Sequence, residues 1–177
     1  MKCTCCNDGI LKPAYIDDLF PCFTCDQCEG NWIHLEDYLR WLAKCGKCSV
    51  SIPKDKVVVD EAKQALLCPE TGALMVKYRI SKDSSHRIDL SPRANGIWLD
   101  KGEWALLKQE GLALSLNQIF SDPWQREIRL SSSQDMIEEI YRQKFEDNYD
   151  ELKRIKSWLH QQDNRAEMIA FIITKNT

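Results

Sequence analysis

Cys25-Asp-Gln-Cys28-Glu-Gly30-Asn-Trp32-Ile33 runs straight into His34-Leu35-Glu36-Asp37-Tyr38-Leu39-Arg40-Trp41-Leu42, and the reading of the whole chain turns on this stretch. Two thiols three positions apart can grip one metal ion from a single tight turn. Gly30, just past the second thiol, reads as the residue that lets the chain leave that turn at backbone angles other residues resist. Leu35, Tyr38, Leu39 and Leu42 then fall at helical spacing, which predicts a helix lying against the turn. The layout returns 66 residues later as Ser91-Pro-Arg-Ala94-Asn-Gly96-Ile-Trp98-Leu99-Asp100-Lys101-Gly102-Glu103-Trp104. Gly30 aligns with Gly96, Trp32 with Trp98, Asp37 with Glu103 and Tyr38 with Trp104, while Cys25 and Cys28 become Ser91 and Ala94. The chain therefore reads as a duplicated metal module whose second copy has lost ligands.

Upstream, Cys3-Thr-Cys5-Cys6 is a first knuckle. Ile10 to Ile16 suits a short strand, Asp17-Asp18 a turn, and Leu19 to Thr24 a returning strand. Two Cys-x-x-Cys knuckles joined by a hairpin are the sequence form of a zinc ribbon. Cys3, Cys6, Cys25 and Cys28 are the expected ligands of one structural Zn2+, which favours four thiolates in a tetrahedron at about 2.3 Å. A core this small needs the metal, so binding and folding should be coupled. Cys22-x-x-Cys25 is also a permissible knuckle, and Cys5 could replace Cys6. Gly30 and Trp32, at the repeat spacing, favour Cys25 with Cys28, and Cys5 and Cys22 read as bystander thiols. His34 aligns with Asp100, where capping or solvent exposure is expected.

Cys3-x-x-Cys6 followed by Cys25-x-x-Cys28-x-Gly30-x-Trp32-Ile33 resembles the bacterial transcription factor IIB-type zinc-finger family. That family's second knuckle continues Gly-Gly-x-Trp-Leu-Asp-x-Gly-Glu, and Gly96 to Glu103 is similar to the tail of this box, with Asn95 in place of one glycine. The resemblance spans roughly the first two thirds of the chain. It implies a zinc ribbon, here in tandem with a degenerate second copy. It does not imply an activity, because a fold hosts many functions.

Between the copies lies a third knuckle, Cys45-Gly-Lys-Cys48. Three readings compete for it: a second zinc site completed by Cys68 and His86, a redox pair, or linker thiols. In the second copy Leu74, Val76, Tyr78 and Ile80 alternate with polar neighbours and Met75, predicting a strand with one buried face. Of its four ligand positions, Cys68 survives, and Thr71, Ser91 and Ala94 replace the others. Thr71 and Ser91 could share a hydrogen bond across the former site, and this module should fold without metal. Cys68 and His86 invite a nucleophile-and-base reading, but no oxyanion feature or third group accompanies them, so no enzyme is expected. The remainder reads as helical: Leu112 to Phe120, a helix from Asp122-Pro123, a break at Ser131 to Ser133, then stripes of Met136, Ile137, Ile140 and Tyr141 and of Leu152, Ile155 and Leu159. Asp163 or Asn164 can cap a last helix.

The expected class is thus small α+β, with a ribbon and its helix over 1–44, a linker over 45–66, a degenerate ribbon-like module over 67–110 and a helical region over 111–177. No apolar run approaches membrane-span length, and the N-terminus lacks a signal-peptide core. A cytoplasmic protein is expected, where nine cysteines point to metal rather than disulfides. A formal charge of -3 argues against a globally basic nucleic-acid binder. Two partner classes stay open, with no small-molecule substrate evident. Lys77, Arg79 and Arg87, with Lys82 and Arg93 nearby, would present a hairpin to nucleic acid. A protein partner would instead use the helical tail, with Trp124 and Trp158 as anchors.

Overall fold

Asp17 and Asp18 take φ of 46° and 57°, and the Leu19 N–H donates to the Ile16 carbonyl at 2.8 Å. Left-handed angles at both central positions make a type I′ turn, whose twist suits a hairpin. It joins β1 (Leu11–Ile16) to β2 (Phe20–Cys25). The structure, a computed structural model, describes residues 1–45, 50–54, 57–59 and 64–174. β3 (Asn31–His34) and α1 (Leu35–Cys45) complete the first repeat. The second repeat supplies β4 (Val76–Arg79), β5 (Arg87–Ser91), β6 (Gly96–Leu99) and α2 (Glu103–Gln109).

The two repeats share one six-stranded antiparallel sheet, in the order β1-β2-β3-β6-β5-β4. β3 pairs with β6 in the register Asn31↔Leu99, Trp32↔Trp98, Ile33↔Ile97. Because Trp32 and Trp98 are equivalent in the repeat, this register sets the copies about a local two-fold axis through the tryptophan pair. The innermost strand of the second module is flanked by β3.

Alternation along the strands separates two cores. Ile33, Ile97 and Leu99 face the helices, where they pack with Phe20, Tyr38, Trp104 and Leu107. Trp32 and Trp98 face the other way, among Cys3, Cys25, Leu66, Cys68 and Met75. The expected face of β4 is only partly realised. Ile80 is buried, but Leu74 and Val76 are exposed and Met75 is buried in their place, since β4 is an edge strand whose approach turns toward the tryptophans. In α1, Tyr38 is buried and Trp41 packs beside it, while Leu39 stays exposed.

The Tyr38 hydroxyl donates to the Ala113 carbonyl at 3.1 Å and accepts from the Leu116 N–H at 3.2 Å, tying α1 to the segment after α2. Burial pushes its pKa up to about 12. Since the raised value favours the neutral phenol in the folded state, this contribution is complete below about pH 10 and is lost as pH rises through about 12. Absorbance of tyrosinate should show a late-titrating phenol that Tyr38→Phe removes; an unchanged titration curve in that variant would contradict this.

Beyond α2 come α3 (Leu116–Ile119) and α4 (Asp122–Phe145). The serines at 131–133 do not break α4, because serine costs a helix only a few tenths of a kcal/mol per residue, roughly. Trp124 is engaged internally, its indole donating to the Ile80 carbonyl at 3.0 Å. The chain divides into two compact units, Met1–Leu130 and Ser131–Thr177. Within the second, α5 (Tyr149–His160) meets the end of α4 through Tyr149, with Arg142 over its ring and Lys153 paired to Glu138 at 2.8 Å. α6 (Arg165–Ile173) follows, preceded by Asn164. Among the described residues no helix is long and apolar enough to cross a membrane.

Candidate metal centre

The segment leading into β1 carries Cys3 and Cys6, and the turn leaving β2 carries Cys25 and Cys28. The two meet at one point, with all four sulfurs within 4.8 Å of one another. Cys3 Sγ lies 3.7 Å from Cys28 Sγ, and Cys6 Sγ lies 3.7 Å from Cys25 Sγ. A tetrahedron of thiolates at about 2.3 Å from a central ion has edges of about 3.8 Å, so the group has the dimensions to hold a metal ion. Its backbone is formed accordingly. Asn7 (φ 63°) and Glu29 (φ 56°) bend the knuckles, the Gly9 N–H donates to Cys6 Sγ at 3.3 Å, and the Gln27 N–H donates to Cys25 Sγ at 3.4 Å. Gly9 is required by space, because a Cβ there would stand 2.2 Å from Cys25 Sγ.

The thiols do not titrate alike. Burial raises Cys3 and Cys28. Burial also acts most strongly on Cys6, but hydrogen bonds from the Asp8 and Gly9 backbone outweigh it and hold this thiol down to about 7. Four sulfurs this close cannot all carry charge without a cation among them. Cys5 lies beside the group, 3.7 Å from Asp100 Oδ1, and is pushed up to about 12, first by burial and then by Asp100. Cys22 is buried in the helix-side core, on the opposite face of β2.

Cys45 closes α1, and Cys48 lies outside the described residues. Among the described residues no second group of three or more metal-ligating side chains comes together. Cys68 is buried beside Ser91 and Thr71. Burial is the largest influence on it, but hydrogen bonds from those two hydroxyls, and from the Thr71 and Glu70 backbone, bring its pKa below the ordinary value. The hydrogen bonds at the equivalent place in the second repeat thus converge on Cys68. His86 precedes the far end of β5, about 16 Å along the strand from Ser91, so the nucleophile-and-base pair is not assembled.

Sequence reasoning misread Gly30 and missed the acidic braces. Glu29 and Asn95, not the glycines after them, hold the left-handed angles. Gly30 and Gly96 instead give room for the opposite repeat's indole: a Cβ on Gly30 would stand 2.3 Å from Trp98 Cζ2, and one on Gly96 2.3 Å from Trp32 Cζ2. Each indole N–H is then held by a carboxylate, Trp32 by Glu70 at 2.9 Å and Trp98 by Asp100 at 2.7 Å. His34, directly before α1, is part-exposed as expected, and its Nε2 lies 2.6 Å from Glu70 Oε1. Comparison of position 70 with position 5, and of 34 with 100, could have exposed this crossed bracing, since each first knuckle reaches the other repeat's third strand.

Two of the three hairpin cations are engaged. Lys77 Nζ lies 2.8 Å from the buried Asp89, and the Arg79 guanidinium donates to the Lys82 and Ser84 carbonyls across the β4–β5 connection. Arg87, Lys82 and Arg93 are exposed. Comparisons with protein-family models, curated proteins and solved structures find no match.

Proposed function

We propose that this is a zinc-binding, non-enzymatic interaction protein, built on a tandem zinc-ribbon-like module of the transcription factor IIB zinc-finger type, whose metal is structural and whose partner is a protein. The closed packing of four sulfurs carries the reading: zinc suits four thiolates, and a full thiolate set leaves no position for substrate or water. The knuckle spacing and the Gly96 to Glu103 box support the ribbon assignment. Cys3, Cys5, Cys6, Cys22, Cys25, Cys28 and Cys68 lie outside any disulfide, whereas Cys45 is disulfide-bonded, so the expectation of metal rather than disulfides holds for the seven and not for Cys45.

Protein rather than nucleic acid is favoured by the state of the hairpin cations. Lys77→Met should destabilise the fold by about 3 kcal/mol, because it leaves the buried Asp89 carboxylate without its ammonium. A phosphate-contacting lysine would instead be dispensable for folding. On the helical unit, Ile137, Ile140, Trp158 and Phe171 are each exposed, apolar side chains of the kind that anchor protein partners rather than nucleic-acid backbones. The test is affinity purification from the native host with and without nuclease, beside DNA and RNA binding across a salt series. A partner that survives nuclease is expected. Salt-dependent nucleic-acid binding that disappears in a Lys82, Arg87, Arg93 triple-alanine variant would overturn the protein reading.

A further inference from the structure

Both knuckles of the metal group close on one side chain of the other repeat, Trp98. Cys5, between Cys3 and Cys6, lies 3.7 Å from Asp100 Oδ1, and that oxygen accepts the Trp98 indole N–H at 2.7 Å. Gly30, two residues beyond Cys28, lies under the six-membered ring of the same indole. Asp100 carries the connection onward. Its N–H donates to Glu103 Oε2 at 2.8 Å, and Glu103, itself buried, begins α2. The two-fold-related Trp32 is held differently. Its seat is Gly96 and its indole N–H meets Glu70, both supplied by the repeat that lacks the thiol set. The symmetry of the sheet is therefore broken in one respect: Trp98 is braced by a metal-bearing knuckle pair and Trp32 is not.

We propose that Cys5, Gly30 and Asp100 are positioning residues that couple metal occupancy of the four-cysteine group to the seating of Trp98 and the start of α2, so that metal loss loosens the β6–α2 segment. The inference rests on the reading of the four cysteines as a metal site. The flanking cysteines set where Cys5 and Gly30 stand, since Cys5 lies between Cys3 and Cys6 and Gly30 two residues past Cys28, each in the same tight turn as its cysteines. Coupling between sites is reciprocal: whatever unseats Trp98 weakens metal binding by the same factor that metal strengthens the seat. Partners behind a ligand shell commonly change affinity about 10–100-fold.

Zinc affinity of the full-length protein is measured by competition with a chromophoric chelator, and hydrogen exchange over residues 96–107 is followed by mass spectrometry in the zinc-loaded state. Cys5→Ala and Asp100→Asn retain all four ligands. Each is expected to weaken zinc at least about tenfold and to speed exchange over 96–107. The double variant should be no weaker than the weaker single, because both act along one path. Glu70→Gln, which loosens Trp32 instead, should leave zinc affinity within about twofold. Should Asp100→Asn fail to fold, Trp98→Phe removes the same indole N–H and replaces it in the cycle. Zinc affinity unchanged in Cys5→Ala, or additive losses in the double variant, would overturn the coupling. Absence of tight zinc in the wild-type protein would instead overturn the metal reading, a result the competition assay reports separately.

Discussion

Cys25→Ser is expected to lower tightly held zinc from about one equivalent per chain to near zero and to unfold the metal-side half of the sheet. Cys25 is buried, its sulfur accepts the Gln27 N–H, and it faces Cys6 at 3.7 Å, so a serine there removes a ligand that no neighbour replaces. Structural zinc sites contribute about 10–16 kcal/mol, apparent, comparable with the whole stability of a domain at about 5–15 kcal/mol. The loss is larger than any packing change in this chain could cause. It should spread past β2, because β3 leaves the second knuckle and pairs with β6. Elemental analysis gives the metal count and circular dichroism the fold. Cys28→Ser should behave the same way, whereas Cys22→Ser should keep its zinc, since Cys22 sits in the helix-side core. Full zinc in Cys25→Ser and Cys28→Ser would show that other ligands hold the ion. Two equivalents in the wild type would bring Cys45 and Cys48 into a second site.

The next largest effect is expected at Gly96. An alanine methyl would stand 2.3 Å from Cζ2 and 2.4 Å from Cη2 of Trp32, a ring with no exposed surface and no room to retreat. Overpacking of this kind costs about 3 kcal/mol where neighbours cannot yield. Gly72→Ala is the contrast. Its added methyl meets nothing within 4 Å, so only the φ of +66° opposes it, at about 1 kcal/mol. Urea unfolding should rank Gly96→Ala well below Gly72→Ala. Trp32→Phe, which trims the ring where the methyl would intrude, should recover at least about 1 kcal/mol in the Gly96→Ala background. Equal midpoints for the two glycine variants would mean that the indole is not seated on Gly96.

The four-cysteine group could be read from the chain because metal-ligand spacing is local. Each knuckle is one turn, and its spacing is dictated by the size of the ion and the reach of two thiols. The first hairpin follows from the apolar runs Ile10 to Ile16 and Leu19 to Thr24 and the turn between them, and α1 from the apolar spacing after Trp32. The reasons behind two of these features were misread. Gly30 looked like a residue chosen for its backbone angles, yet Glu29 holds the unusual angle and Gly30 is small because Trp98 lies against it. The serines at 131–133 looked like a break, yet α4 runs through them, because local propensity is a weak term beside continuous helical hydrogen bonding.

The chain in isolation shows the repeated pattern, the four thiols of the first copy, the replacement of three of them in the second and the mixed α+β class. It does not show that the copies meet edge to edge. Pairing of β3 with β6 joins residues 66 positions apart, and nothing in the local pattern of either strand names its neighbour. Folding the repeats onto a shared axis turned a Gly-x-Trp pattern present twice into one reciprocal lock. Pairing of β4 with β5 likewise turns Lys77 from an apparent surface cation into the partner of the buried Asp89. The physical reason is the same in each case. Thiol spacing acts within a few residues, whereas an indole's seat, a buried carboxylate and its ammonium exist only once distant segments exclude water between them.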